Sequence, residues 1–244
     1  MMNLYGKNQV IERLASQPNS IKKIFFNQKS VLAELKTLAN EKKIPYTVLS
    51  EKEFLIISKD ANTQGVIAQV DEFHYEDLDN LLRRSKQDKY VLIALSNITD
   101  PQNLGSILRT AACFGNFALI IPKHRTASIN ETVLKVACGG ENHVPIVQVT
   151  NLISAIQAAK DAGYWVAGSV VDNGEAVTTF KFPFPLCLVI GSEDKGIRHG
   201  LLNHLDYKLT LPMPGKELSL NAAVATAVFC YEIMRQRSLL IENK

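Results

Sequence analysis

Apolar positions change their rhythm near residue 90. Before it, short apolar clusters alternate with polar, helix-spaced stretches. Val10, Ile11 and Leu14 share one face of a helix predicted over 5–15, and a strand follows over 21–26. A second helix is predicted over 31–40, a short strand over 45–49, a helical turn over 50–57 and a closing strand over 64–70. Residues 1–72 thus make a small α/β unit. Residues 73–89 are polar, and fit either a solvated linker or an amphipathic surface helix through Leu78, Leu81 and Leu82. The Arg83-Arg84-Ser85-Lys86 run in it is either solvated or in contact with phosphate. From Tyr90 onward, strand and helix patterns alternate strictly. Strands are predicted at 91–95, 117–121, 144–149, 164–171, 186–190 and 207–211, and helices at 104–114, 129–137, 152–162, 196–205 and 219–237. Runs this continuously apolar suit strands buried on both faces. The unit 90–244 is therefore an α/β domain with a mainly parallel sheet covered by helices on both sides.

Composition narrows the class only slightly. Hydrophobic residues at 46% and charged residues at 21% describe an ordinary globular protein, and 244 residues suffice for one large or two modest domains. The net charge of +3 is compatible with a polyanionic partner without requiring one. No apolar run reaches the roughly 20 residues that would span a bilayer. The first residues lack the pattern of a secretory signal. Cys113, Cys138, Cys187 and Cys230 are scattered and mostly in apolar contexts, which fits reduced thiols better than a disulfide framework or a metal site. His199 and His204, five apart, do not share a helix face for metal binding. The expectation is a cytoplasmic protein with no membrane partner and no metal.

A doubly wound sheet invites a nucleotide-binding reading, which the motifs do not support. No Gly-x-Gly-x-x-Gly follows the strand at 91–95, and no Gly-x-x-x-x-Gly-Lys-Ser/Thr occurs anywhere. Three other blocks stand at the edges of apolar runs. The first is Asp100-Pro101-Gln102-Asn103-Leu104-Gly105-Ser106-Ile107-Leu108-Arg109. The second is Ile190-Gly191-Ser192-Glu193-Asp194-Lys195-Gly196. The third is Leu211-Pro212-Met213-Pro214-Gly215, followed by Ser219-Leu220-Asn221. Taken alone, Asn103 could be a helix cap beside a surface arginine, and Gly191 could open a plain strand-to-helix turn capped by Ser192. Absence of a Cβ at Gly191 would also let a ligand approach the backbone. Ser219 is a good N-cap for the last helix.

In this order and spacing the three blocks resemble the motifs of the SpoU-type RNA ribose 2'-O-methyltransferases of the SPOUT superfamily, and the resemblance covers nearly the whole chain. It implies a SPOUT α/β-knot, in which the C-terminal segment threads a deep trefoil knot, an arrangement proteins otherwise avoid. It further implies a ribosomal-protein-like RNA substrate-binding domain over 1–72, a linker over 73–89 and the methyltransferase domain over 90–244. The implied cofactor is S-adenosyl-L-methionine, contacted by backbone groups of Gly191, Leu211 and Leu220. The implied catalytic set is Asn103, Arg109, Glu193, Ser219 and Asn221. Glu193 would orient Arg109 or bind a ribose hydroxyl. Arg109 would accept the 2'-hydroxyl proton or stabilise the developing alkoxide. A guanidinium keeps its proton above about pH 12, which favours the second role.

The chain departs from the family's habits at three places. Ala222-Ala223 stands where many relatives carry Val-Ser. Ala137 precedes the segment 138–145 where Ser is common. Thr63 replaces a His that often precedes Gln64. The N-terminal unit resembles that of the ribosomal guanosine branch, which makes large-subunit (23S) rRNA the first expected substrate and a homodimer the expected assembly, with no DNA partner. Lys7, Arg13, Lys22 and Lys23 are candidate RNA backbone contacts or solvated surface. A tRNA methyltransferase and a catalytically silent RNA-binding factor on the same fold are the rival readings.

Overall fold

Met2–Tyr5 is an edge strand, β1, although the helix predicted over 5–15 was to include Tyr5. A run of four residues carries no alternation to announce a strand. β1 forms because its backbone pairs antiparallel with a strand more than sixty residues later (Leu4 opposite Ala68). The computed structural model describes residues 1–30, 32–58, 62–215 and 219–242. After Gly6 come α1 (Lys7–Ser16), β2 (Ile21–Asn27), α2 (Ala33–Glu41), β3 (Tyr46–Leu49), α3 (Glu51–Ser58) and β4 (Val66–Val70). Val31, expected to open α2, lies outside the described residues. The four strands form one sheet in the order β1-β4-β2-β3.

The segment 73–89 carries α4 (Leu78–Asp88), with Leu81 and Leu82 buried under the second sheet. The amphipathic alternative for this segment is the one observed. Arg84 lies 3.2 Å from Glu76, and the side chain of Lys86 lies outside the described residues.

The remaining strands are β5 (Val91–Ser96), β6 (Phe117–Pro122), β7 (Ile146–Val149), β8 (Trp165–Ser169), β9 (Glu175–Ala176), β10 (Leu186–Gly191) and β11 (Tyr207–Thr210). They pair in the order β7-β6-β5-β10-β8-β11-β9, every pair parallel. Side chains on a strand alternate between its faces, and both faces are buried here. Val91, Ile93 and Leu95 face one core with Leu188 and Ile190, while Leu92 and Ala94 face another with Cys187 and Val189. The first core is closed by α5 (Pro101–Phe114), α6 (Glu131–Ala137) and α9 (Ala222–Glu242). The second is closed by α4, α7 (Leu152–Asp161) and the short α8 (His199–Leu202).

The helix predicted over 196–205 shrinks to α8 because 192–196 is a tight turn closed by a Ser192–Gly196 bridge. The two residues of β9 are too few to leave a sequence pattern. Burial pushes the Cys187 and Cys230 thiols up to about 12, whereas Cys113 is exposed and Cys138 half-buried, so only two of the four thiols are buried. Among the described residues, no helix is long and apolar enough to cross a membrane.

The N-terminal unit is fastened to the larger domain by specific bonds. The Asn3 amide and the Tyr5 hydroxyl both donate to Glu131 (2.8 and 3.0 Å), and Gln9 Nε2 donates to the Lys135 carbonyl (2.9 Å). Arg13 and Glu141 form an ion pair at 2.9 Å with both side chains buried. Arg13 is therefore not available to RNA. Lys7 and Lys22 pair with Glu34 and Asp71, and Lys23 lies over the Phe25 ring.

Candidate active site

The carboxyl ends of β5, β8, β10 and β11 open on one edge of the sheet, and the three sequence blocks converge there. α5 begins at Pro101 with Asp100 as its cap, the carboxylate accepting from the Gln102 amide at 2.8 Å. Asn103 is therefore inside the first turn and is not the cap. Its side chain crosses to the loop after β10, donating to Glu193 Oε1 at 2.7 Å.

The last helix starts later than the sequence suggests. Ser219 is not its N-cap. Asn221 is, its Oδ1 accepting from the amides of Ala223 (2.9 Å) and Val224 (3.3 Å). Either residue type can cap; Asn221 prevails because its Nδ2 has partners of its own, Asn103 Oδ1 at 2.8 Å and Glu193 Oε1 at 2.9 Å. The capping bonds fix the amide orientation, since only the oxygen can accept from backbone N–H groups. The Ala222 amide adds a further bond to Glu193 Oε1 at 3.1 Å. Asn103 and Asn221 thus commit their side chains to each other and to one carboxylate oxygen. Glu193 Oε2 makes no hydrogen bond among the described residues, and Glu193 is exposed.

Beside this network is a cavity of about 250 Å3 lined by Gly191, Glu193, Leu211, Ser219 and Leu220, with walls of Ile190, Val170, Ile197 and Ala225. Ligand clefts commonly run from roughly 300 Å3 upward, so it suits a partly enclosed small molecule. The backbone groups of Leu211 and Leu220 make no hydrogen bond among the described residues. Free amides and carbonyls beside apolar walls need a partner, and a flat heteroaromatic ring edge is one that suits them. These residues fit S-adenosylmethionine. Asp172, at the end of β8, also lines the cavity. Its only sequence signal is a polar Asp-Asn-Gly turn closing an apolar run. Asp194 is held below the usual carboxylate range by the Ser192 hydroxyl, 2.7 Å away.

Two expectations change within the single chain. Glu193 does not meet Arg109 of its own chain: Arg109, in the third turn of α5, is exposed, and its Nη1 reaches Cys138 Sγ at 3.6 Å. An α-helix places residues six apart on different faces, so Asn103 turns inward as Arg109 turns out. Gly191, which lines the cavity, has a steric reason to lack a Cβ besides ligand approach. A Cβ there would lie 2.1 Å from the Gly196 carbonyl carbon and 2.3 Å from the Ile197 nitrogen, because the 192–196 turn folds back over it with Gly196 at φ +61°. Gly191→Ala is expected to displace this turn, costing about 1–3 kcal/mol as overpacking does. Cofactor affinity should fall at least about tenfold, the equivalent of 1.4 kcal/mol. Calorimetry of cofactor binding and a thermal melt check this, and unchanged affinity would contradict it.

The fold and site together define a SPOUT α/β-knot methyltransferase preceded by a small substrate-binding domain. Residues 90–231 match the model of the SpoU rRNA Methylase family, and residues 4–76 that of the RNA 2'-O ribose methyltransferase substrate binding family. The chain belongs to the SpoU rRNA methylase family and is an S-adenosylmethionine-dependent RNA methyltransferase. It is 35% identical over 242 residues, 97% of the chain and 96% of the relative, to a Staphylococcus saprophyticus protein assigned to the TrmH family of tRNA/rRNA methyltransferases. It is 43% identical over 183 residues to an uncharacterized tRNA/rRNA methyltransferase of Synechocystis, covering 74% of this chain but only 48% of that longer protein. Its fold matches the SpoU methyltransferase AviRb of Streptomyces viridochromogenes, solved with AdoMet, at a TM-score of 0.79 and 24% identity over 96% of this chain and 90% of that one.

Proposed function

We propose that the protein methylates a ribose 2'-hydroxyl, that of a guanosine in large-subunit (23S) rRNA. The observation that carries the chemistry is the Glu193 carboxylate beside the cofactor cavity, its Oε1 held by Asn103, Asn221 and the Ala222 amide and its Oε2 left without a hydrogen bond among the described residues. Bound S-adenosylmethionine supplies an electrophilic methyl group. Gly191, Leu211 and Leu220 hold it by their backbone groups, and the apolar walls exclude water. Glu193 Oε2 accepts a hydrogen bond from the ribose and fixes its hydroxyl, so that Asn103 and Asn221 act by positioning Glu193. Ser219, at the cavity rim, is placed to hydrogen-bond either the cofactor or the ribose. The 2'-oxygen takes the methyl as the methyl's bond to sulfur breaks, leaving S-adenosylhomocysteine. The hydroxyl proton passes to Glu193 Oε2 and on to water, while Arg109 brings positive charge to the oxygen as that proton departs. Positioning and electrostatic stabilisation need no covalent intermediate.

Support for rRNA comes from the N-terminal unit, which matches a dedicated substrate-binding family. A homodimer is part of the same reading. Val224, Val228 and Tyr231 form an exposed apolar stripe on α9, and Arg109 does not line its own chain's cavity. Free thiols suit a reducing cytoplasm. The test is incubation with labelled S-adenosylmethionine and unmodified 23S and transfer RNA in parallel, followed by mapping of alkali-resistant sites. Label at one guanosine of 23S rRNA is expected. Label confined to transfer RNA would overturn the substrate, and no label in either would overturn the activity.

A further inference from the structure

A second, larger depression lies next to the cofactor cavity. β6 and β7 extend from one side of β5, and β10 and β8 from the other, so the connections leaving β5 and β10 diverge at their carboxyl ends. Open parallel sheets bind ligands in the crevice that such divergence leaves. Two cavities, of about 760 and 560 Å3, meet at this place and share Asn97, Arg125 and Arg198. His124 lines the larger and Lys195 the smaller. Ser192 lines both the smaller one and the cofactor cavity, so the depression runs up to the Glu193 network.

Some surface cations, such as Lys7, Lys22, Lys160 and Arg235, have a carboxylate partner within 4 Å, and others, such as Lys181 and Lys208, stand singly among the described residues. The depression instead gathers three cations in one place. Arg125, Lys195 and Arg198 are exposed and form no ion pair among the described residues. The carboxylate lining the same space, Asp194, accepts from the Ser192 hydroxyl. The backbone of Arg198 is anchored beside the site, its amide donating to the buried Ser96 Oγ at 3.4 Å. Guanidinium groups that are unpaired and exposed suit phosphate, whose oxygens match the planar fork.

We propose that this depression is a phosphate track, in which Arg125, Lys195 and Arg198 bind the RNA backbone flanking the nucleotide whose ribose is presented at Glu193. The inference rests on the RNA methyltransferase reading above and locates the strand within it. Phosphate contacts set register and carry affinity without reading bases. The track therefore strengthens binding to any RNA strand, and sequence preference comes from elsewhere.

The test is salt-dependent binding of unmodified transcribed 23S rRNA to the full chain. The double variant Arg125→Ala, Arg198→Ala is compared with wild type and with Lys181→Ala, Lys208→Ala. The control removes equal charge, and its Lys208 is on β11, three strands from β5. Each single-strand phosphate contact contributes about 0.7 to the slope of log affinity against log salt. The track variant should lose about 1.4 of slope, equivalent to roughly 25-fold weaker binding near 0.1 M salt, while the control stays near wild type. Cofactor affinity by calorimetry should not change. An unaltered slope in the track variant, with a wild-type enzyme that methylates RNA, would overturn the track alone, as would an equal loss in the control. A wild-type protein that neither binds nor methylates RNA would overturn the functional reading and the track with it.

Discussion

Arg109→Ala is expected to slow methyl transfer by about 10²–10³-fold, the usual loss when one donor to a developing oxyanion is removed, with cofactor affinity unchanged. The second half of this outcome comes from geometry. The cavity is lined by residues from β8, β10, β11 and the start of α9, and Arg109 is not among them. Its neighbour is Cys138 Sγ, a weak acceptor, so most of its donors are free for a substrate. A cationic side chain that is exposed and makes one weak contact has little structural task to lose. Arg109→Lys keeps the charge but not the planar fork, so it should fall between wild type and alanine. Single-turnover rates at saturating RNA, with parallel calorimetry, separate the chemical step from binding. A rate within a few-fold of wild type in Arg109→Ala would end its catalytic assignment. A cofactor affinity that fell in step with the rate would mean the residue supports the cavity instead.

The parts of this site visible in the sequence are those that depend on residue type and local spacing. The strands at 91–95, 117–121 and 186–190 announce themselves because a strand buried on both faces must be apolar at every position. The polar residues at their ends stand out against that background. What could not be seen depends on partners far along the chain. Asn221 rather than Ser219 caps α9 because Asn103, 118 positions away, fixes its amide. Gly191 is glycine because the chain turns back on itself five residues later. β1 exists only by pairing with β4. Arg125 and Arg198 belong to none of the three blocks, and only the fold brings them together.

The buried pair Arg13–Glu141 is where a single substitution should cost the most stability. Arg13 is on α1 of the small unit, and Glu141 is in the turn after α6 of the large one. Their side chains are 7% and 1% exposed. Glu141 Oε2 and Arg13 Nε lack partners among the described residues, so the pair is incompletely satisfied even when intact. Removing one partner leaves a buried charge without its counter-ion, and such losses run to about 3–5 kcal/mol. Glu141→Gln and Arg13→Met should each reach that range in urea unfolding. The double variant Arg13→Met, Glu141→Leu should recover most of the loss, because desolvating an imperfect pair offsets much of its attraction. This pattern separates an ion pair that stabilises the fold outright from one that serves to set the domains' register. Single and double variants equally unstable would assign the pair a large net contribution, and single variants within about 1 kcal/mol of wild type would show water reaching the interface. In the expected case the pair acts as a register pin. The double variant should then fold but hold the substrate-binding unit less uniquely, weakening RNA binding while leaving cofactor affinity intact.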